Sequence, residues 1–101
     1  YTNLKTFIAD VRLTYGLPQL PFVVGRLSSS QTGAGSVTYL NAVRQAQTAV
    51  AAEDPWTGLV NTDDFSLKTD NLHFDAAGQQ AAFLKADLSA SRCACASSRR
   101  R

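Results

Sequence analysis

Three stretches of the chain place their apolar residues at the spacing of an amphipathic helix. These stretches are residues 1–15, about 36–54 and about 75–91. The first carries apolar side chains at i, i+3, i+4 and i+7, and the other two at i, i+4, i+7 and i+11. Gly16 follows the first stretch as a helix-ending residue, and Ser36 and Asp75 precede the others as N-caps. The pattern therefore predicts three helices.

Two short apolar runs lie between these helices. Residues 20–27 (LPFVVGRL) are rich in branched and aromatic side chains and are bounded by prolines, which predicts a strand buried on both faces. Residues 58–62 (GLVNT) form the second predicted strand. The resulting order, helix-strand-helix-strand-helix, is typical of an α/β layer architecture with parallel strands.

Two strands are few for a parallel sheet. Such sheets need helices on both faces and neighbouring strands at their edges. Each Val, Leu or Phe left exposed forfeits about 1.5–3 kcal/mol of burial. We therefore expect residues 1–91 to be the C-terminal portion of a larger α/β domain, with a self-sufficient small domain as the alternative.

Charge is unevenly distributed along the 101 residues. Residues 92–101 hold four of the ten basic residues, so the net charge of +2 becomes −2 over the first 91 residues, with six basic and eight acidic side chains. A nucleic-acid interface spreads Lys and Arg over a face or groove, which this body does not do. No apolar run approaches the roughly 18 residues of a membrane span, and no secretory signal is visible. We therefore expect neither nucleic acid nor a membrane as a partner.

The last ten residues differ from the rest. Residues 92–101 (RCACASSRRR) show no apolar periodicity, which predicts a disordered basic tail. Cys93 and Cys95 are too close for an easy disulfide and lack the second pair of ligands that a zinc site needs.

Candidate chemistry is concentrated in the loop before the third helix. His73 is the only histidine of the chain, and Asp70 precedes it by three residues. In a turn, residues i and i+3 approach closely, so the carboxylate can accept a hydrogen bond from one ring nitrogen and leave the other free as a base. This is the orienting half of a nucleophilic triad. On spacing alone, a purely structural Asp–His tie between loop and helix is the alternative.

Other polar residues of these loops have plainer interpretations. Asp63 and Asp64 are predicted to lie in a solvated turn, with a place at the mouth of a site as the alternative. Residues 28–36 (SSSQTGAGS) lack the lysine and the glycine spacing of a phosphate-binding loop and are interpreted as a flexible loop. Gly78 costs a helix about 1 kcal/mol, which close packing against the His73 loop would explain.

The sequence around this loop resembles a known enzyme family. The strings LPFVVGRLS, VRQAQTAVA and GLVNTDDFSLKTDNLHFDAAGQQ are similar to the sialate O-acetylesterase-like carbohydrate esterases of the SGNH hydrolase superfamily, over roughly residues 1–84. The resemblance implies the C-terminal part of a three-layer α/β/α, flavodoxin-like parallel-sheet domain. It also implies a serine esterase acting on acetylated carbohydrate, without a metal or an organic cofactor.

The resemblance assigns roles to two residues and implies that others are absent. By the D-x-x-H motif, Asp70 is the triad acid and His73 the general base. The family's nucleophilic serine and oxyanion-hole donors lie upstream, so the missing N-terminal half of the same domain is the expected partner and the chain alone is predicted to be inactive. Residues 28–30 are serines after a strand, but no nucleophile turn surrounds them. Arg26 stands where the family often has Gln.

Two other functions share the predicted architecture. One is a non-catalytic α/β fragment or interaction module. The other is a flavodoxin-like or nucleotide-binding domain, which the absence of a phosphate-cradling loop disfavours.

Overall fold

A computed structural model describes residues 1–35 and 37–98 of the chain. Its elements are α1 (Thr2–Tyr15), β1 (Phe22–Gly25), α2 (Val37–Glu53), β2 (Thr57–Val60) and α3 (Ala76–Ser98), with a short 3₁₀ turn at Gly33–Gly35 between β1 and α2. This order confirms the predicted α/β class. No helix in the described ranges is long and apolar enough to cross a membrane.

The two strands pair in parallel and direct two loops toward the same edge of the sheet. The register pairs Phe22 with Thr57 at one end and Gly25 with Val60 at the other. The ladder continues one step further, because Arg26 N donates to Val60 O over 3.0 Å. The loops that follow β1 and β2 therefore begin side by side, at the carboxyl ends where open α/β sheets bind ligands.

Helices cover this small sheet unevenly. Helix α3 packs on both strands, α2 packs on β2, and α1 contacts α2. The buried apolar side chains come from α1, α2, β2 and the loop after β2, and are Ile8, Leu40, Val50, Val60 and Phe65. Strand β1 was predicted to be buried on both faces, which is wrong, because its residues Phe22, Val23 and Val24 are only half-buried. The reason is that the sheet of the described residues has two strands, so each strand has one edge without a strand beside it.

The ends of α1 and α3 follow the predicted capping. Gly16 adopts the left-handed conformation (φ 64°) that ends α1, as predicted. Asp75 Oδ1 accepts the backbone N–H of Gly78 over 2.8 Å, which confirms the predicted N-cap of α3. Ser36, the predicted cap of α2, lies outside the described residues.

Helix α3 is longer than the apolar pattern indicates. The chain was expected to be disordered from residue 92, whereas the helix continues to Ser98, and residues 99–101 lie outside the described part. The physical reason is that residues 92–98 contain no Gly or Pro to end a helix, and Ala and Arg favour it intrinsically. The loss of the apolar stripe therefore did not mark the end of the helix.

A glycine sets the distance between α3 and the loop before it. A methyl group on Gly78 would overlap the backbone oxygen of Ser66 and lie 3.2 Å from Cβ of Phe74. The predicted close packing of the helix against the His73 loop is therefore confirmed.

The carboxylate of Asp63 ties together α2, the loop after β1 and its own loop after β2. It accepts hydrogen bonds from Arg44 of α2 at 2.7 and 3.0 Å, from Arg26 after β1 at 3.1 Å and from the backbone N–H of Ser29 at 2.8 Å. The Arg44 guanidinium, together with the Ser29 N–H, holds the pKa of this carboxyl well below its ordinary value. The prediction of a solvated turn is thus wrong for Asp63. Asp64 is the exposed one, and it pairs with Lys85 of α3 over 2.8 Å.

Replacing Gly78 with alanine should destabilise the protein, although alanine is the better helix former. The new methyl group must displace the Ser66 carbonyl, and such overpacking typically costs about 1–3 kcal/mol. Chemical denaturation of the Gly78→Ala variant measures this loss. Gly25→Ala is the control, because a methyl group there meets no atom within 4 Å. Equal stability of the Gly78 variant and the unmodified chain would contradict the prediction.

Replacing Asp63 with asparagine should lower the free energy of unfolding at pH 7 by about 1–3 kcal/mol, because hydrogen bonds to a charged acceptor are lost. The folded-state pKa of Asp63 is depressed, so its contribution is complete above the unfolded value of about 3.9 and disappears as the pH falls below it. The difference in the free energy of unfolding between Asp63→Asn and the unmodified chain should therefore be smaller in acid than at pH 7, which chemical denaturation at both pH values measures. Asp64→Asn serves as the matched control and should have a much smaller effect, since Asp64 is exposed. A gap that persists unchanged in acid would refute the charge-based explanation.

Candidate active site

The loop between β2 and α3 forms a small hairpin that presents His73. Leu67 and Phe74 form an isolated antiparallel bridge at its base. Lys68 N donates to His73 O over 2.8 Å, and Asn71 N donates to Lys68 O over 3.0 Å. Phe74 also packs edge-on against the buried Phe65, with 5.6 Å between ring centroids. The turn that carries Asp70 and His73 therefore stands on a hydrogen-bonded and partly buried base.

The chain reverses within this turn through a left-handed residue. Asn71 has a φ of 53°, and no other residue in the described ranges except glycine has a positive φ. Asparagine tolerates this region better than most residues because its short polar side chain can bond locally. The string D-N-L-H thus places a suitable residue where the backbone requires it.

Asp70 divides its two carboxylate oxygens between backbone and side chain. Oδ1 accepts the N–H groups of Leu72 and His73, each over 3.0 Å, and Oδ2 lies 2.7 Å from His73 Nδ1. The imidazole bond, followed by the two backbone bonds, holds the pKa of the Asp70 carboxyl well below its ordinary value. Asp70 is therefore ionised at neutral and moderately acidic pH.

This contact determines the state of the His73 ring. An ionised carboxylate can only accept, so Nδ1 carries the proton and Nε2 of the neutral ring holds a lone pair. The hydrogen bond that the D-x-x-H spacing predicts is thus present in the structure. Two thirds (67%) of the His73 side chain is exposed, against 46% for Asp70. The exposed ring can therefore accept a proton at Nε2 while Asp70 holds it in place.

The loop after β1 packs behind this turn, a contact that the sequence reasoning missed. Gly33 N donates to Asn71 O over 3.0 Å, and a methyl group on Gly33 would overlap the backbone oxygen of Asp70. Gln31 Nε2 donates to Leu72 O over 2.7 Å. The string SSSQTGAGS was interpreted as a flexible loop, and only the tertiary structure reveals which of its residues touch the turn.

The remaining candidate residues have structural partners. Ser28 is fully buried, and its Oγ accepts the N–H of Ser30 over 3.2 Å. Ser66 Oγ donates to Asp75 Oδ1 over 2.5 Å. Arg26 pairs with Asp63 and with Asn61 Oδ1 over 2.9 Å. Within the part of the chain that the structure describes, no three His, Cys, Asp or Glu residues are grouped as metal ligands would be.

Comparison with known proteins identifies the family. No curated protein and no solved structure matches the chain. A family model described as carbohydrate esterase, sialic acid-specific acetylesterase, matches residues 1–85. This match covers most of the chain, ends inside α3 and includes the whole Asp70–His73 turn. The resemblance expected from the sequence is therefore confirmed, and the chain belongs to the sialic acid-specific acetylesterase family of carbohydrate esterases.

Proposed function

We propose that this chain supplies the acid–base half of a serine-esterase site that removes O-acetyl groups from carbohydrate. The observation that carries the proposal is the 2.7 Å contact between Asp70 Oδ2 and His73 Nδ1, on an exposed ring, in a member of an acetylesterase family. In this proposal Asp70 is the triad acid and His73 is the general base, the roles that the D-x-x-H motif implies by resemblance.

Each residue has one task in the proposed reaction. His73 Nε2 takes the proton of a serine hydroxyl as its oxygen attacks the acetyl carbonyl, and then returns that proton to the departing sugar oxygen. In the second half, the same nitrogen takes a proton from water as the water oxygen attacks the acetyl carbonyl, and then gives it to the serine oxygen as the ester bond breaks and acetate leaves. Asp70 remains ionised, keeps the proton on Nδ1 and stabilises the imidazolium that forms in each half.

Exposure of the pair supports a chemical rather than a purely structural role. Ion pairs and hydrogen bonds between exposed side chains contribute little to stability. Asp70 nevertheless commits its whole carboxylate to the turn and the ring, and the turn requires a left-handed Asn71. Backbone conformations of this kind are concentrated at functional sites.

We further propose that the nucleophile and the oxyanion-hole donors come from a polypeptide segment upstream of residues 1–91, the N-terminal half of the same domain. Ser28 is buried and Ser66 is engaged by the carboxylate that caps α3. Ser29 and Ser30 are exposed, but no nucleophile turn surrounds them. The half-buried β1 supports the same view, since further strands beside it would complete the sheet. Residues 1–91 are then the C-terminal portion of an SGNH-type domain with the three-layer α/β/α architecture, and the missing part of that domain is their partner.

The 101-residue chain alone should hydrolyse p-nitrophenyl acetate no faster than buffer with an equal concentration of free imidazole. The physical reason is that a positioned base without a nucleophile or oxyanion hole lacks the largest contributions to acyl transfer. Spectrophotometric rates at neutral pH check this. Hydrolysis by the chain that disappears in His73→Ala would contradict the missing-nucleophile part of the proposal.

In a polypeptide that also contains the serine-bearing segment, His73→Ala should lower kcat for acetyl-ester hydrolysis by about 10²–10⁴-fold, because the general base is removed. Asp70→Asn should also lower kcat, because an amide can donate to Nδ1 and so favour the wrong tautomer. Asp64→Asn is the matched control, another carboxylate of the same loop whose partner is Lys85, and should leave kcat unchanged. If His73→Ala kept its activity within a few-fold of the unmodified enzyme, the Asp–His pair would have a structural role only.

A further inference from the structure

A buried glutamine lies directly behind the Asp70–His73 turn. Gln31 is 8% exposed, its Oε1 accepts the backbone N–H of Ser28 over 2.7 Å, and its Nε2 donates to Leu72 O over 2.7 Å. One backbone partner can only donate and the other can only accept, so the side-chain amide has a single chemically consistent orientation. Gln31 therefore bridges the loop after β1 to the turn through two directional bonds.

The contact with Leu72 reaches the peptide unit that leads into His73. The Leu72 C=O and the His73 N–H belong to one planar group and point in opposite directions. Gln31 holds the C=O, and Asp70 Oδ1 accepts the N–H over 3.0 Å. Both ends of this plane are thus fixed by side chains, and rotating it would break both bonds together.

The orientation of this plane decides which Asp70 oxygen faces the imidazole. Because Oδ1 is occupied by backbone N–H groups, Oδ2 is left for His73 Nδ1. We propose that Gln31 is a positioning residue, which holds the Leu72–His73 peptide plane and thereby keeps the Asp70 carboxylate aligned with the ring. This inference rests on the proposed function, since it assigns Gln31 to the same acid–base pair.

Close packing keeps Gln31 in reach of the turn. Gly33, two residues further along, donates its N–H to Asn71 O over 3.0 Å and has no room for a side chain against Asp70 O. The loop after β1 therefore contacts the turn at Asp70 and Asn71 as well as at the Leu72 carbonyl that Gln31 holds.

The tautomer of His73 provides the test, because this ring is the only imidazole of the chain. Long-range ¹H–¹⁵N spectra of the full chain, at a pH where the ring is neutral, should show the Nδ1–H form in the unmodified protein. Gln31→Met removes the hydrogen bonds of the side chain to Ser28 N–H and to Leu72 O. Gln31→Glu keeps an acceptor for Ser28 N–H but turns an oxygen toward Leu72 O. In both variants we expect loss of the single-tautomer signature and averaging of the two ring nitrogens.

A second glutamine offers a matched control. Gln47 of α2 also bridges two backbone groups, accepting from Leu27 N over 3.0 Å and donating to Gly25 O over 3.2 Å, but it does not bond to the turn. Gln47→Met should therefore keep the Nδ1–H signature. Thermal unfolding of every variant shows which ones remain folded under the conditions of the spectra.

The outcomes separate this inference from the function on which it rests. Asp70→Ala should average the ring nitrogens whatever Gln31 does, and failure of that variant to do so would overturn the proposed function together with the inference. Averaging in Asp70→Ala, with a single tautomer kept in both folded Gln31 variants, would overturn the positioning role alone. Averaging of the His73 ring nitrogens in Gln47→Met as well would show that any lost glutamine bridge near the sheet has this effect, and it too would overturn the positioning role of Gln31. So would unfolding of both Gln31 variants under conditions that leave Gln47→Met folded.

Discussion

The parallel pairing of β1 with β2 is the constraint on which the rest of the structure depends. Parallel strands end on the same side, so the chain leaves the sheet twice at neighbouring points, after Gly25 and after Val60. Asp63 stabilises this junction by accepting hydrogen bonds from Arg26, from Arg44 of α2 and from the backbone N–H of Ser29 in the loop after β1. With the two exits held together, the loop after β1 can support the turn that follows β2. An antiparallel pair would have sent these loops to opposite edges.

The turn itself combines short-range and long-range control. Its short-range part is local chemistry: a left-handed Asn71, and an aspartate that accepts the N–H groups two and three residues further on. Its long-range part comes from residues about forty positions earlier, because Gln31 reaches Leu72. The local part brings Asp70 near His73, and the distant part stops the backbone between them from rotating. Both contributions act on the position of the ring, and a misplacement of about 1 Å can already cost a reaction roughly 10²-fold in rate.

The sequence predicted the features that depend on short-range patterns and missed those that depend on long-range contacts. The three helices, the order of helices and strands along the chain and the Asp70–His73 contact rest on patterns within a dozen residues, and the sequence predicted each of them. Asp63 was misjudged and Gln31 was not singled out, because their partners are distant in the chain and no local spacing marks them. The end of α3 was misjudged for another reason: apolar periodicity reports packing, whereas residues 92–98 remain helical without an apolar stripe. Patterns that describe burial are thus poor guides to helix ends and to ion-pair networks.

Solvent exposure of the Asp–His pair weakens the electrostatic interaction between Asp70 and a protonated His73 ring. A carboxylate stabilises an adjacent imidazolium weakly when water surrounds both, because the interaction between charges falls with the effective dielectric constant. With His73 67% and Asp70 46% exposed, the pair has its geometry but not yet a low-dielectric environment. Substrate and further polypeptide packed above the ring would exclude water and strengthen the same 2.7 Å contact without moving an atom of it. In the proposed function, the described residues therefore orient His73 as the base, and substrate and polypeptide packed over it would supply the electrostatic strength.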